Sequence, residues 1–241
     1  CNQENLLDNI LPENFSIDDY SVLNSDLRKF SKFTLLEHYL RCGKREGRYY
    51  DITKLLPEDF NPTEYRDLNI DIYHKNDNKL KEHYALYGSK ENRFYKLNQI
   101  IPDNFSCETY LKSNEQIGRF NLSDYDIKVY YYYFNIGKSL LSVHKSINKR
   151  IDNTYLPIDF NIEDYRDLNP DLFSLTKPLL IRHYLISGKN ENRFYNIENN
   201  LPDDFNADNY VYYNSNYDLL GLDQRKLKIH YITKGSKENR N

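Results

Sequence analysis

Apolar and polar positions along this chain do not follow one helical or strand period; they return in a frame tens of residues long, which is the signature of internal repetition. A Pro-x-x-Phe element stands at Pro12, Pro57, Pro102, Pro157 and Pro202, in steps of 45, 45, 55 and 45 residues. Each Phe (Phe15, Phe60, Phe105, Phe160, Phe205) is followed at once by Ser16, Asn61, Ser106, Asn161 or Asn206. Five residues after the Phe stands Tyr20, Tyr65, Tyr110, Tyr165 or Tyr210. Ser and Asn are strong N-caps, because a short side-chain oxygen accepts from an otherwise unpaired first-turn amide. Acids follow in that turn (Asp18, Asp19, Glu64, Glu108, Glu163, Asp164, Asp208), as the positive helix end favours. Pro62 falls at N1 and Glu64 at N3, the places of a proline start and a capping-box partner. Counted from the cap, Phe is N′ and Tyr is N4, so all five units carry the two positions of a hydrophobic staple.

The first helix should run only about two turns, because Asn-x-Asp turn chemistry follows at Asn24 and Asp26, Asn69 and Asp71, and Asn169 and Asp171. A longer helix is expected next, with Leu and Tyr at i and i+4: Leu35 and Tyr39, Leu80 and Tyr84, Leu180 and Tyr184, Leu227 and Tyr231. A histidine precedes each of these tyrosines (His38, His83, His183, His230). Gly43, Gly88, Gly188 and Gly235 lie four residues past the Tyr, where a left-handed C′ residue would end the helix. Glu-x-Arg comes next, as Glu46 and Arg48, Glu91 and Arg93, Glu191 and Arg193, and Glu238 and Arg240. The chain is therefore expected to be all-α, a tandem array of five helical repeats of about 45 residues joined by irregular connectors. So thin a unit leaves an apolar face that a neighbour must cover, which predicts an α-solenoid-like stack. The divisions are 1–10 as the tail of a preceding repeat, then 11–55, 56–100, 101–155 (divergent, with an insertion), 156–200 and 201–241 (truncated).

Composition sharpens this picture in three ways. With 24 Tyr and 12 Phe but no Trp or Met, aromatic rings must supply much of the burial, and each buried Tyr hydroxyl needs a partner. Lys plus Arg number 33 against 36 acids, a net charge of −3, which disfavours nucleic acid or an anionic membrane as a bulk partner. Cysteines at 1, 42 and 107 fit neither a disulfide framework nor a Cys-based zinc site, and point to a soluble protein of a reducing compartment. No apolar run approaches a membrane span. The absence of Met, and the likeness of residues 1–12 to 96–102 and 196–202, lead to the expectation that the chain is part of a longer product.

The run Tyr165-Arg166-Asp167-Leu168-Asn169-Pro170-Asp171-Leu172, followed by His183, Tyr184, Gly188, Glu191 and Arg193, resembles a helical repeat of giant DNA virus proteins and of some bacterial proteins. In the bacterial proteins such units often accompany glycosyltransferase domains. The likeness covers nearly the whole chain and implies an accessory region of a viral protein, in the host cytoplasm or the virion. It carries over no catalytic residue and no cofactor.

Each candidate for chemistry has a structural counterpart. The four His-Tyr pairs could contact sugars or phosphates, yet four copies beside a core ring read better as hydrogen-bonded packing groups. Glu-x-Arg could clamp an anion; the structural expectation is an ion pair with the acidic first turn of a neighbouring unit. His38 and Cys42 have an i, i+4 metal-binding spacing, but Cys42 is replaced by Tyr87, Ser187 and Lys234 in other units. Gly137-Lys138-Ser139 resembles the end of a phosphate loop without its upstream glycine, since position 132 is Tyr. Asp124 and Asp126 have the Asp-x-Asp form of many glycosyltransferases, in a chain with no Rossmann-like strand pattern. Neither a catalytic constellation nor a metal or cofactor site emerges.

The third unit departs most. Aligned by its glycine, Tyr132 replaces the histidine, Glu-x-Arg is missing after Gly137, and ten extra residues are present. Residues 137–150 carry Lys138, Lys145, Lys149 and Arg150 without an acid, next to the aromatic run 130–134. Beside the bland reading, an eroded unit with a surface insertion, stands a sharper one: Tyr130, Tyr131 and these four cations form the contact for an acidic or phosphorylated protein. The functional expectation is a non-catalytic scaffold or protein-interaction module. Its rival is a carbohydrate-binding array in which exposed Tyr rings stack on glycans, and an enzyme comes third.

Overall fold

A computed structural model of the chain describes residues 11–136, 156–214, 217–238 and 240, and among these the only regular secondary structure is helical. Two compact units form, residues 1–99 with the first two repeats and residues 100–241 with the other three. The helices are α1 Ile17–Leu23 and α2 Lys32–His38 in the first repeat, and α3 Pro62–Leu68 and α4 Asp77–His83 in the second. The third holds α5 Cys107–Lys112, α6 Glu115–Gly118 and α7 Asp124–Tyr131. The fourth holds α8 Ile162–Leu168 and α9 Lys177–His183, and the fifth α10 Ala207–Tyr213 and α11 Gln224–His230.

Every first helix starts as its sequence requires. Ser16, Asn61, Ser106, Asn161 and Asn206 each accept from first-turn amides. The five staples close, with Phe and Tyr ring centroids 5.7, 5.3, 5.6, 5.4 and 5.7 Å apart from the first repeat to the fifth. The same Phe also meets a ring of the second helix, Tyr39, Tyr84, Tyr131, Tyr184 or Tyr231, at 4.5 to 4.9 Å. That ring stands nearly perpendicular to the stapled Tyr. A T-shaped pair beneath a tilted Phe is thus the core of each unit, and it explains why helices of about seven residues persist: tertiary ring packing replaces the length they lack.

The first helix ends on an Asn whose side-chain amide donates back to the stapled Tyr carbonyl, at Asn24, Asn69, Asn114, Asn169 and Asn214. In three repeats the same amide also reaches the carbonyl of Tyr49, Phe94 or Phe194 in the connector. Glu64 does not close a capping box on Asn61; its carboxylate accepts from the Leu97 amide, as Asp19 accepts from Ile52 and Asp164 from Ile197. This third residue of the helix anchors the connector to its own unit.

The glycines correct an expectation. Gly43, Gly88, Gly188 and Gly235 are not left-handed stops; each closes a π-helical turn that prolongs the second helix, at Tyr39–Gly43, Tyr84–Gly88, Tyr184–Gly188 and Tyr231–Gly235. A Cβ there would meet the hydroxyl of Tyr20, Tyr65, Tyr165 or Tyr210 at 2.0, 2.2, 2.0 and 2.1 Å, so the close approach of that ring excludes a side chain. The left-handed residues come later, at Gly47, Asn92 and Asn192, with φ of 66°, 53° and 53°.

Candidate functional site

The recurring polar residues converge on one network in four of the units. The stapled Tyr hydroxyl lies 2.8 Å from His38 Nδ1 in the first repeat, 2.8 Å from His83, 2.7 Å from His183 and 2.9 Å from His230. Burial drives the Tyr20 pKa up to about 12 and raises those of Tyr65 and Tyr165 further. Burial first, and the nearby Arg93 or Arg193 second, hold His83 and His183 below the usual histidine value. Both groups are therefore neutral near pH 7. In the fifth unit His230 Nε2 lies 3.3 Å from the Asp218 carboxylate.

Behind the histidine stands the arginine of Glu-x-Arg. Arg48, Arg93, Arg193 and Arg240 bind Glu46, Glu91, Glu191 and Glu238 through Nε. Through Nη1 they bind Asp26, Asp71, Asp171 and Asp218 at 2.7 to 2.9 Å. These partners belong to the arginine's own unit, not to the first turn of a neighbour as expected. The connector folds back across its unit and delivers the guanidinium to the turn that opens the second helix. The inter-unit pair with an acidic first turn does exist, carried by a different residue: Arg225 of α11 binds Asp164 at 2.8 Å and Asp167 at 2.9 Å on α8.

The third unit lacks this network. Counted from the cap Ser123, Tyr130 takes the histidine position and Tyr131 the core tyrosine position, two residues before the register expected from Tyr132 and Gly137. Asn135 takes the glycine position and donates to the Tyr110 hydroxyl at 2.7 Å. Tyr130 is 4 % exposed and stacks on Phe134, while Tyr131 is half-buried beneath Phe105. Both rings expected to contact a partner therefore pack within their unit. Lys138, Lys145, Lys149 and Arg150 lie outside the described residues. Tyr132 and Tyr133 are buried as well, and the Arg182 guanidinium sits 4.9 Å from the Tyr133 ring centre, where α7 packs on α9. Nothing in the sequence frame flags Arg182, because the other repeats place Glu37, Glu82 and Ile229 at its position.

Asp126 is engaged in a capping box with Ser123, accepting from its amide at 3.2 Å and its hydroxyl at 2.7 Å. The Asp-x-Asp pattern is accounted for by this helix start. His38 Nδ1 is paired with the Tyr20 hydroxyl, and Cys42 is half-buried with a free thiol. Among the described residues no group of three or more His, Cys, Asp or Glu could hold a metal, and no helix is long and apolar enough to cross a membrane. A shallow cleft of about 370 Å³ lies between the first two repeats, lined by Val22, Arg28, Lys75, Lys79 and Glu82 among others. Comparison with protein-family models, curated proteins and solved structures finds no match to this chain.

Proposed function

We propose that this chain is a non-catalytic helical-repeat scaffold that binds protein partners, as an accessory region of a larger viral protein. The carrying observation is that the polar side chains recurring from unit to unit, Tyr, His, Asp, Arg and Glu, are engaged with one another inside their own unit. A repeated group satisfied in this way builds the brick rather than a reaction centre, and specificity passes to surface positions that vary between units. Burial of the stapled tyrosines Tyr20, Tyr65, Tyr165 and Tyr210 supports this reading over the glycan-binding array, whose recurring stacking platforms would have to face solvent.

The test is capture of proteins on the immobilised 241-residue chain beside a glycan array probed with the same chain. A variant with Lys138, Lys145, Lys149 and Arg150 all changed to Glu is run in parallel. Retention of a defined protein, weakened roughly tenfold or more by charge reversal at low salt with unchanged circular dichroism, is expected for the basic segment as contact surface. Equal capture by the variant removes that segment from the surface. Glycan binding with no protein retained overturns the scaffold reading.

A further inference from the structure

The cleft between the first two repeats lies inside the first compact unit, and three cations line it, Arg28, Lys75 and Lys79, against the one carboxylate of Glu82. Lys79 takes that carboxylate, its amine 2.6 Å away. Arg28 donates one guanidinium nitrogen to the Val22 carbonyl at 3.1 Å, and among the described residues neither Arg28 nor Lys75 is paired with an acid. The cleft is thus left with the charges of Arg28 and Lys75 unmatched. The His83 ring lines it too, its Nδ1 2.8 Å from the Tyr65 hydroxyl.

Joining two repeats does not require these cations. The fourth and fifth repeats meet through the same two helices and are tied by Arg225 on Asp167 at 2.9 Å. Counted from the helix caps, the first two repeats have Asn78 and Val22 at those places, so the internal ion pair is absent there. Arg28 stands three residues before the cap of its second helix, where the other repeats have Tyr73, Phe120, Phe173 and Leu220. Lys75 stands directly before its cap, where the others have Phe30, Leu122, Leu175 and Leu222. Two cations at otherwise apolar places, one from each of the repeats that meet, therefore converge on the one junction where an acid has been replaced by valine.

We infer that this cleft binds a phosphate monoester, carried on a phosphorylated side chain of a protein partner. The group is close to a dianion at neutral pH, which matches the two unmatched cations, and a guanidinium is suited to its oxygens. A carboxylate would leave one of the two charges unanswered. A volume of about 370 Å³ admits the phosphate together with the residue that carries it. The net charge of −3 does not favour a polyanion such as nucleic acid, whereas one phosphate meets only the local field. The inference deepens the scaffold reading by naming the chemistry of one contact, and it rests on that reading for the partner being a protein.

Isothermal titration calorimetry of the purified 241-residue chain with a short alanine-rich peptide bearing one phosphoserine reads the affinity, and the His83 imidazole NMR signals report the place. Saturable binding that weakens as salt rises and shifts those signals is expected, with none for the same peptide unphosphorylated. Arg28→Leu and Lys75→Leu install the residue that the fifth repeat has at each place, Leu220 and Leu222. Each should weaken binding about fivefold or more with unchanged circular dichroism. Lys44→Leu removes the same charge at an exposed position outside the cleft and should change binding by less than about twofold. Inorganic phosphate is titrated alongside. Any of four results overturns the inference: no saturation up to about 10 mM phosphopeptide, equal binding of the unphosphorylated peptide, affinity that neither leucine variant lowers more than Lys44→Leu does, or inorganic phosphate bound while the phosphopeptide is not. Each of these leaves the scaffold reading to its own capture experiment, because a protein can be retained through another surface.

Discussion

The third and fourth repeats share a core and differ in the polar network behind it. Phe105 lies 5.6 Å from Tyr110 and 4.5 Å from Tyr131; Phe160 lies 5.4 Å from Tyr165 and 4.7 Å from Tyr184. The T-shaped Tyr pairs stand at 89° and 88°. Yet the third repeat has Tyr130 for His183, Gln116 for Asp171, Asn135 for Gly188, and Lys138 and Leu140 for Glu191 and Arg193. The ring trio therefore sets the local geometry, and the polar network is a dependent set that is present or absent as a whole. Partial loss would strand a desolvated charge or hydroxyl, which costs more than replacing all partners together.

The comparison breaks most visibly if the ring itself is removed. Tyr165→Ala deletes a fully buried ring and the hydroxyl paired with His183, and is expected to cost about 3–5 kcal/mol by chemical denaturation. Tyr110→Ala should cost clearly less, since Tyr110 is half-buried and its hydroxyl accepts from an exposed Asn135. Equal losses would mean that the deeper burial of Tyr165 and its contact with His183 add nothing to the trio.

The glycine position gives a finer contrast. Gly188→Ala forces a methyl against the Tyr165 hydroxyl and should destabilise by about 1–3 kcal/mol through overpacking. Adding Tyr165→Phe removes the obstructing oxygen, so the double variant should be more stable than the sum of the two single losses, a coupling that a double-mutant cycle measures. Asn135→Ala in the third repeat breaks one neutral hydrogen bond and should cost only about 1 kcal/mol. Additive effects at 165 and 188 would refute the contact as the reason for glycine.

What is legible in the sequence follows the range of each interaction. Caps and staples act within a few residues, so Ser16, Asn61 and the Phe-Tyr couples can be read from residue order alone. Gly188 has the look of a helix stop, yet its cause is a ring from the preceding helix, which only packing reveals. The arginines point toward a neighbour's first turn when read along the chain, because no local rule says that the connector returns to its own Asp171. In the third unit, five consecutive aromatics offer several registers; counting from the cap Ser123 rather than back from Gly137 is what places Tyr130 and Asn135 correctly.

Acid sensitivity is the smallest effect, and it distinguishes the same two repeats. His83 and His183 titrate below 6.5 in the folded chain, because burial and the adjacent Arg93 or Arg193 oppose protonation. Well above pH 6.5 both folded and unfolded histidines are neutral, and their contribution to stability is complete. As pH falls through about 6.5 the unfolded chain takes up protons first, so stability declines until the folded histidines also protonate. Asp171, held below its usual value of 3.8 by Arg193, adds a second loss only at lower pH. Calorimetric Tm should therefore fall in two steps on acidification. His183→Gln keeps an acceptor near Tyr165 without a titrating group, and should flatten the upper step. Tyr130 supplies no such proton, so Tyr130→Phe should leave that step unchanged. A profile that is flat between about pH 6.5 and the carboxylate range would show that the buried histidines exchange protons as freely as those of the unfolded chain.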